Sequence, residues 1–550
     1  MAPSNTRILI IGAGSRGTAY ARAIHQSSST TGGTVVAVAE PIAFKRQELG
    51  TKYIWGPLNR PPKPEEEFTD WRQFLKYEEV RRKRQNAGET VEPGIDAVIV
   101  CVLDEMHVDV VEGLAPLGLH VLCEKPLATR LEDCVKMYRS LAPEQGRAAE
   151  TIFGIGHVLR YSPHNMLLRE LLLDRGVVED VVSVEHTEPV GWWHFSHSYV
   201  RYVLGAQELM DLAGADGFTR GNWRKGSKTA PSLLTKSCHD IDFLLWLLCS
   251  PPTNSQRPPH LPSFLTSTGS LKFFRKSRKP AAAGDATNCL SCSIEKDCMY
   301  SAKKIYLEKH LAKGDTGWPV KIVNPEIEDL YRTSGIDAAA DELLRNLAED
   351  YTPDTPVEEV ESRPWFGRCV WESDNDVVDD QCVTITWEDD PLTAHANGEV
   401  QGNGDAAHAL QGRTAKTATF HMIAFTEAIC ERRGRIYGTK GEITYDSKTI
   451  SVHDFASGET KVHHPHLAGG GHGGGDDSLA RQFVLAVDAV KSGRMDAEEA
   501  QRVFLGCSLE EVVRSHAMVF AAEEARRERK VVDWAEWWER EVTGRLQRTK

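Results

Sequence analysis

The sequence lacks the features that would direct it to a membrane or to nucleic acid. No apolar run approaches the ~20 residues that a membrane-spanning helix needs, and the longest, Phe243 to Cys249, is typical of a buried helix. Positive charge is in deficit, since 65 Lys and Arg stand against 79 Asp and Glu and give a net charge of −14. An acidic surface repels phosphate backbones and anionic lipids, so neither nucleic acid nor membrane is expected as a partner, although a local basic pocket for a small anion stays open.

The cysteines do not form the pattern of a disulfide scaffold. Twelve are scattered over 550 residues, and several, such as Cys101 and Cys123, lie in apolar stretches. This predicts reduced thiols and a cytoplasmic location. The beginning of the chain also lacks a charged leader with an apolar stretch and a cleavage site, because Arg7 leads directly into the apolar run Ile8–Ile11, which predicts a first strand.

The length predicts at least two domains, because single hydrophobic cores rarely grow beyond ~250–300 residues. Residues 1–151 alternate short β-branched runs with helical stretches, which is typical of a parallel sheet covered on both faces and predicts an α/β Rossmann domain. Residues 56–94 interrupt this pattern and are expected to be a surface excursion with an exposed helix. Strands are predicted over 7–11, 34–39, 97–102 and 120–123.

Residues 152–550 have a different pattern, in which the apolar runs become longer and alternate with polar residues. This pattern predicts an α+β domain with a large, mostly antiparallel open sheet. Strands are predicted over 181–190, 382–387, 417–423, 441–445 and 449–453, and helices over 163–174, 237–249, 338–349 and 476–492. Loop insertions are predicted at about 202–220, 251–330 and 389–415. The first of these interrupts a join between Arg201 and Gly221, which indicates a lineage insertion or an intron retained in the gene sequence.

A glycine-rich turn, Gly12-Ala13-Gly14-Ser15-Arg16-Gly17, follows the first predicted strand and opens a helix. In such a turn the first glycine permits the tight bend, the second lets a pyrophosphate approach the backbone, and the third lets helix and strand pack closely. Glu40 ends the second strand, near the offset expected for an acid that binds the adenosine ribose. Because this carboxylate repels a 2′-phosphate, NAD is favoured over NADP, while the nearby Lys45 and Arg46 keep NADP as an alternative.

Two further motifs carry a family resemblance. Glu124-Lys125-Pro126 follows the fourth strand, and Asp104-Glu105-Met106-His107 follows the third. Together with the glycine turn they resemble the Gfo/Idh/MocA oxidoreductases, the glucose–fructose oxidoreductase and inositol dehydrogenase family, whose members have a Rossmann domain followed by a domain built on a large open sheet. The resemblance implies a set of cofactor-binding residues: Gly12, Gly14, Ser15, Arg16, Gly17, Glu40, Asp104, His107, Glu124, Lys125 and Pro126.

The resemblance also implies two catalytic residues. Lys125 is placed to hydrogen-bond the reacting oxygen of a secondary alcohol, and His239, in a predicted helix, is a natural proton shuttle near neutral pH. The family often carries an aspartate one turn before this histidine, but here that position is Thr235. Asp240 or Asp242 could orient His239 instead, or the mechanism could use Lys125 and His239 alone.

Substrate contacts are expected from several polar and aromatic residues, because aromatic faces suit the C–H surfaces of a sugar and polar groups suit its hydroxyls. The alternative for the segment 191–201 is an ordinary aromatic core. The candidates, taken largely from the resemblance, are Arg160, Tyr161, Trp193, His194, His197, Lys236 and His472.

A compact cysteine group, Cys289, Cys292 and Cys298, has spacing that suits a structural zinc ion, with free thiols as the alternative. A fourth ligand would come from elsewhere in the chain.

Taken with the resemblance, these motifs predict an NAD(P)-dependent oxidoreductase that transfers hydride between a nicotinamide cofactor and a hydroxyl of a sugar, polyol or cyclitol. Two other functions remain open: an NAD-dependent redox-elimination glycosidase and a non-catalytic dinucleotide-sensing regulator. A homo-oligomer is expected from the resemblance alone.

Overall fold

The structure is a computed structural model that describes residues 5–143, 148–201, 223–227, 229–253, 255, 257–392, 410, 412–466 and 471–547. The insertion predicted at 202–220 lies outside the described residues, and so does most of the one predicted at 389–415.

The N-terminal domain is a six-stranded parallel sheet with helices on both faces, as predicted. Its strand order is β3-β2-β1-β4-β5-β6. Strands are therefore added to one side of β1 up to β3 and to the other side from β4 onward, and a crevice forms at the strand ends between β1 and β4. Strands β1 to β6 span Thr6–Ile11, Gly33–Ala39, Glu67–Phe68, Ala97–Val100, His120–Cys123 and Phe153–Ile155, and helices α1 to α5 span Ser15–Thr31, Ala43–Tyr53, Trp71–Asn86, His107–Leu114 and Leu131–Leu141.

The segment 56–94 is more than a surface excursion, which corrects the sequence-based expectation. Its short strand β3 pairs with β2 at the edge of the sheet, and the side chains of Phe68, Trp71 and Phe74 are buried. The two-residue strand is too short to leave a periodic signal, and the charged outer face of α3 hides its buried face.

The C-terminal domain contains a nine-stranded sheet of order β14-β13-β12-β11-β7-β10-β9-β8-β15, in which β7 and β10 are parallel and the other neighbours are antiparallel. Strands β7 to β15 span Val181–Pro189, Phe264–Ser270, Asp380–Trp387, Lys416–Ile423, Arg433–Gly438, Gly441–Tyr445, Ile450–Asp454, Thr460–His463 and Val532–Asp533. Helices α6 to α16 span Pro163–Arg169, Trp192–Phe195, Ser232–Cys249, Val320–Val323, Ile327–Ala348, Val357–Ser362, Gly475–Lys491, Ala497–Ala500, Leu509–Glu528, Trp534–Trp538 and Gly544–Gln547. Helix α8 is buried along its whole length and packs against α14 and the sheet.

The segment 251–330 is not a loop insertion throughout, which corrects the second predicted insertion. Residues 264–270 form β8, which pairs with β9 in the main sheet. Further along, Tyr306, Leu311 and Val320 pack with Leu343 from α10 in a separate small core. The low apolar density of this segment conceals these elements, because several short turns each contribute one or two buried residues.

Helix α12 covers the Rossmann sheet, although it follows the strands of the second domain in sequence. Leu479, Phe483 and Val484 are fully buried in the same cluster as Ile8 and Ile10 of β1. The helix also carries Asp476 in its first turn to the edge of the crevice.

Among the described helices, none is both long and apolar enough to span a membrane.

Candidate active site

The glycine turn lies between β1 and α1 and has the geometry that its residue types predict. Gly12 adopts φ +95°, and a Cβ there would approach Cys101 O to 2.5 Å. A Cβ on Gly17 would approach Gly12 O to 1.9 Å, so only glycine allows the helix to start this close to the strand. Above Gly14, by contrast, a Cβ would meet no described atom within 4 Å. The space over this backbone fits a pyrophosphate that approaches closely, and Ser15, exposed at the start of α1, borders the same space.

Glu40 lies at the end of β2 and is nearly buried. Its carboxylate accepts hydrogen bonds from the backbone N–H of Ala13 at 2.7 Å and of Ile42 at 3.0 Å. The side chain therefore fixes the glycine turn and also presents a negative charge where an adenosine ribose would lie. Arg46 is paired with Glu67 at 2.8 Å, so its charge is already engaged by the protein.

Arg16 links the glycine turn to both of the other elements that reach the crevice. Its guanidinium pairs with Glu124 at 2.8 Å and with Asp476 at 2.8 Å, and Tyr20 OH donates to Glu124 over 2.6 Å. Although burial opposes ionisation, Arg16 holds the pKa of the Glu124 carboxyl below its usual value. This network fixes the strand end from which Lys125 projects.

The loop Lys125-Pro126-Leu127 is held by two buried histidines. His107 Nδ1 lies 2.8 Å from Pro126 O, and the N–H of Leu127 donates to His516 Nε2 over 2.8 Å. Asp104, at the neighbouring strand end, accepts a hydrogen bond from Trp223 Nε1 at 3.1 Å, and burial raises the pKa of its carboxyl. Glu124, Lys125, Pro126, Asp104 and His107 therefore lie together at the carboxyl ends of β4 and β5, as the sequence predicted.

Lys125 contacts the helix that carries His239. Lys125 Nζ donates to Thr235 O over 2.8 Å, and His239 follows Thr235 by one turn of α8. The ring of His472 lies 5.9 Å from that of His239, and His472 Nδ1 is 3.3 Å from Asp476. The structure thus brings Lys125, His239 and His472 to one place from three distant stretches of sequence.

Arg432 determines the hydrogen bonding of His239 and was missed from the sequence. Its Nη2 donates to His239 Nε2 over 2.7 Å, and its Nε donates to Asp240 Oδ1 over 2.7 Å. Because a guanidinium has only donors, His239 Nε2 must be the acceptor, and burial holds the pKa of this ring well below its usual value. The neutral ring then carries its proton on Nδ1, which is buried and has no partner among the described residues.

The two aspartates that follow His239 have different roles. Asp240 is bound by Arg432 and lies 3.1 Å from His186 Nε2, and its Oδ2 lies 3.3 Å from His239 Nε2, so it supports His239 both directly and through the arginine. Asp242 instead pairs with Arg160 at 2.7 Å. Of the two aspartates that could orient His239, Asp240 is the one in contact with its ring, and a mechanism that uses Lys125 and His239 alone stays an alternative.

Lys236 lies in a buried charged group beside His239. Its ammonium is 3.0 Å from Glu188 Oε1 and 2.8 Å from Cys430 Sγ. Although burial opposes its charge, Cys430 and Glu188 raise the pKa of Lys236. Glu188 and Cys430 carried no sequence signal, because they come from the end of β7 and from the loop before β11.

Arg160 and Tyr161, predicted to contact substrate, have polar contacts within the protein. Both are buried; Arg160 forms a two-pronged pair with Asp242, and Tyr161 OH donates to Leu505 O over 2.9 Å. Their polar atoms are engaged by the protein, although both residues line a cavity of about 1400 Å³, and a substrate contact at these residues stays a prediction.

The segment 191–201 divides between core and cleft. His197 is buried, its Nδ1 lies 2.9 Å from Tyr306 OH, and burial lowers its pKa to about 3, so it belongs to the core and not to the substrate contacts. Trp193 is also largely buried, packed between His310 and Trp318. His194 is half-buried with Nδ1 3.8 Å from Cys430 Sγ, which places it next to Lys236.

The predicted zinc site is not supported. Among the described residues, one group of three metal-type ligand atoms lies within 4.8 Å of one another, and it consists of His157, Cys238 and His516 and not of Cys289, Cys292 and Cys298. Both ring nitrogens of His516 are already hydrogen-bonded, to Leu127 N–H and Val512 O. Near the predicted site, the buried guanidinium of Arg201 lies 3.5 Å from Cys289 Sγ, and a cation there opposes binding of a second cation. All twelve cysteines are free thiols.

Residues 6–151 match the model of an oxidoreductase family described as Gfo/Idh/MocA, NAD-binding Rossmann fold. The oxidoreductase YteT of Bacillus subtilis is 24% identical over 230 residues, which are 40% of this chain and 45% of that protein. Inositol 2-dehydrogenase of Rhizobium meliloti is 28% identical over 99 residues, 17% of this chain and 28% of that protein. The chain therefore matches less than half of the length of these relatives.

Levoglucosan dehydrogenase, solved in complex with NADH and levoglucosan, superposes with a TM-score of 0.54 at 14% identity, over 96% of this chain and 99% of that one. At this identity the similarity establishes the two-domain fold.

Proposed function

We propose that this chain, whose Rossmann domain belongs to the Gfo/Idh/MocA oxidoreductase family, is an NAD-dependent dehydrogenase acting on a hydroxyl of a sugar, polyol or cyclitol. The observation that carries the proposal is that Lys125, at the end of a Rossmann strand, contacts helix α8 one turn before His239. Such a pair is what oxidation of a secondary alcohol requires, because the hydroxyl proton must leave while hydride leaves the carbon.

The dinucleotide, when bound on the glycine turn, supplies the hydride acceptor. Lys125 in its neutral form takes the hydroxyl proton, and its ammonium returns the proton in the reverse direction. His239 offers its Nδ1–H to the same oxygen and stabilises the negative charge that develops there. Because Arg432 occupies His239 Nε2, His239 acts as a donor and Lys125 is the proton acceptor.

The substrate class follows from the site and from the names of related proteins. His194, Lys236 and His472 surround Lys125 and His239 with polar groups suited to several hydroxyls. Levoglucosan and inositol, in the names of the two similar dehydrogenases, are both ring compounds with several hydroxyls. The cofactor is NAD in preference to NADP, because the Glu40 carboxylate would repel a 2′-phosphate.

We further infer a cytoplasmic location and a homo-oligomer. Free thiols at all twelve cysteines suit a reducing compartment. On the face of the sheet away from α8, β9 and β10 present partly exposed residues such as Thr384, Thr386 and Thr419, and this open face is available for a second copy. Light scattering from the purified protein should give at least twice the monomer mass of 61.2 kDa, and a monomer would contradict it.

The test is a panel of sugars, polyols and cyclitols followed by NADH absorbance, with NADP as the comparison cofactor. Lys125→Met should lower kcat by roughly 10²–10⁴-fold, because the proton acceptor is lost. Lys136→Met is the matched control: this exposed lysine of α5 pairs with Asp133 on the surface. Equal rates for the wild type and Lys125→Met would exclude the mechanism.

The same assay separates the two other functions. A redox-elimination glycosidase would release a sugar from a glycoside with no net formation of NADH. A regulator would bind NADH without turnover of any compound in the panel.

A further inference from the structure

A continuous series of ring contacts leads from the candidate active site to the protein surface. The ring of His194 packs edge-on against Trp318 with centroids 4.9 Å apart, and Trp318 packs against Trp193 at 5.0 Å. Trp318 is 43% exposed, although it lies against three other rings. An indole in this position offers the kind of surface on which the C–H faces of sugar rings stack.

The series ends at a cluster of lysines. Lys309 Nζ lies 5.0 Å from the centroid of Trp193 and 5.3 Å from that of Trp192. Burial and the neighbouring Lys313 lower the pKa of Lys309. Among the described residues, no carboxylate forms an ion pair with Lys304, Lys309 or Lys313. Three ammonium groups therefore stand against one nearby carboxylate, that of Glu308, so the local charge is positive although the chain as a whole carries a charge of −14.

The lysines border a shallow cavity of about 310 Å³, which is lined by Trp192, Met299, Lys304, Glu308, Lys309 and Lys313. This volume is at the lower end of the range for small-molecule sites, which is roughly 300–1,000 Å³, and suits a single ring. The indole of Trp192 and an excess of ammonium groups over the one carboxylate fit a ring that also carries an anionic group.

We infer that the substrate cleft continues from His194 over Trp318 to Lys309, and that this extension binds a second sugar unit carrying a carboxylate, such as a hexuronate. The inference deepens the proposed function and rests on it, since the first unit would be the one oxidised beside Lys125. The second unit would stack on Trp318, and its carboxylate would pair with Lys309 and Lys313. A site of this kind selects acidic oligosaccharides over neutral ones.

The test measures binding without turnover, so that it is independent of the dehydrogenase reaction. Quenching of tryptophan fluorescence is titrated with a set of uronate disaccharides and with their methyl esters, which have the same shape without the charge. At least one acid should bind ~10-fold more tightly than its ester. Added salt should weaken binding of the acid and leave binding of the ester unchanged.

Variants locate the effect. Lys309→Gln and Trp318→Ala should each weaken binding of the uronate disaccharide by about tenfold, which corresponds to ~1.4 kcal/mol. Lys276→Gln, an exposed lysine of the same segment that pairs with Glu372, should leave binding unchanged. The inference is overturned if every ester binds as well as its acid, if Lys309→Gln binds like the wild type, or if sugar phosphates bind and uronates do not. Binding in the absence of turnover on any substrate would retain this subsite and exclude the dehydrogenase.

Discussion

At the scale of single residues, Arg432 supports His239 in place of the aspartate that the family often carries at the position of Thr235. Thr235 offers only its backbone oxygen to Lys125, so His239 receives its support from another part of the chain. Arg432 bonds to His239 Nε2 and is itself bound by Asp240 and Glu188, both fully buried. The arginine therefore selects the form of His239 with the proton on Nδ1.

Replacing Arg432 by Met should change how activity depends on pH. In the wild type, burial and Arg432 keep His239 neutral, so the pH profile of kcat/KM should show no limb from this histidine between pH 5 and 8. In Arg432→Met, Nε2 is free to take a proton beside Asp240, so the profile should gain a new limb at the pKa of His239. Buried Asp240 and Glu188 also lose the guanidinium and keep His186 and Lys236 as partners, at a cost of about 3–5 kcal/mol in the free energy of unfolding.

Arg433→Met is the matched control, because this neighbouring arginine is exposed at the start of β11. Its pH profile and stability should match those of the wild type. Arg432→Lys retains the charge and separates the loss of charge from the loss of the hydrogen bond to His239. An unchanged pH profile in Arg432→Met would show that the arginine does not control the histidine.

The sequence could predict the residues that lie next to one another in a motif, and it missed those that reach the site from elsewhere. Gly12, Gly14 and Gly17 are recognisable because the turn itself requires them, and Lys125 because it directly follows a strand. Arg432, Glu188 and Cys430 each stand alone in sequence, and only the pairing of β7 with β11 brings them to α8. The buried ion pair of Arg160 with Asp242 was not predicted, because a buried ion pair and a substrate contact use the same residue types.

At the scale of elements, helix α12 joins the two parts of the fold. It follows eight of the nine strands of the second sheet in sequence, yet its buried face packs on α1 and β1 of the first. A Cβ added to Gly33 at the start of β2 would come within 2.6 Å of the Val484 side chain, which shows how closely the helix approaches. Asp476 in its first turn pairs with Arg16 of the glycine turn. The cofactor crevice therefore depends on a helix more than 300 residues away from the Rossmann strands.

Phe483→Ala tests this dependence. Phe483 is fully buried against the Rossmann sheet, so its truncation leaves a cavity and should lower the free energy of unfolding by about 3–5 kcal/mol in urea titrations. Binding of NADH, followed by fluorescence, should weaken as well, because Arg16 and Asp476 lose their fixed separation. Arg481→Ala, at an exposed position of the same helix, should change neither quantity. Destabilisation without any loss of NADH binding would show that α12 supports the sheet but not the crevice.

Helices with a clear apolar stripe or a buried run were located well from the sequence, and their ends less well. The helix predicted over 237–249 begins at Ser232, because its first turn carries polar residues such as Thr235 and Lys236 that are buried by contacts from other elements. The helix predicted over 338–349 extends back to Ile327 through a bend at Gly335, where φ is +85°. These extensions depend on tertiary contacts that local propensity does not contain.

At the scale of the whole molecule, the two sheets and their covering helices form the α/β and mostly antiparallel arrangement that the sequence predicted, because short apolar runs between helices mark the first sheet and longer alternating runs mark the second. The resemblance to the Gfo/Idh/MocA family is confirmed by the match over residues 6–151. The small core around Tyr306 and Leu343 was not predictable, since its members are spread over many short turns.

Buried neutral histidines should make the whole molecule sensitive to mild acid. Burial lowers the pKa of His197 to about 3 and that of His516 to about 3, whereas both titrate near 6.5 in the unfolded chain. The unfolded state therefore binds more protons below pH 6.5, so the stability that these rings provide is complete above pH 6.5 and is lost as the pH falls from 6.5 towards 3. Each ring should lower the free energy of unfolding by up to about 1.4 kcal/mol per pH unit in this window.

Urea unfolding at pH 7.5, 6.5, 5.5 and 5.0 measures this slope. His197→Phe removes one titrating ring from a position stacked on Phe366 and should reduce the slope below pH 6.5 by about 1.4 kcal/mol per unit. His25→Phe, at an exposed position of α1, should leave the slope as in the wild type. The ion-paired carboxylates contribute separately. Against the effect of burial, Arg160 lowers the pKa of Asp242, and His472 and Arg16 lower the pKa of Asp476. The stability that these two carboxylates provide begins to be lost only near pH 4. A free energy of unfolding that stays constant between pH 6.5 and 5.0 would mean that the histidines gain protons in the folded protein as readily as in the unfolded chain, and that the interior around Tyr306 and α14 admits water.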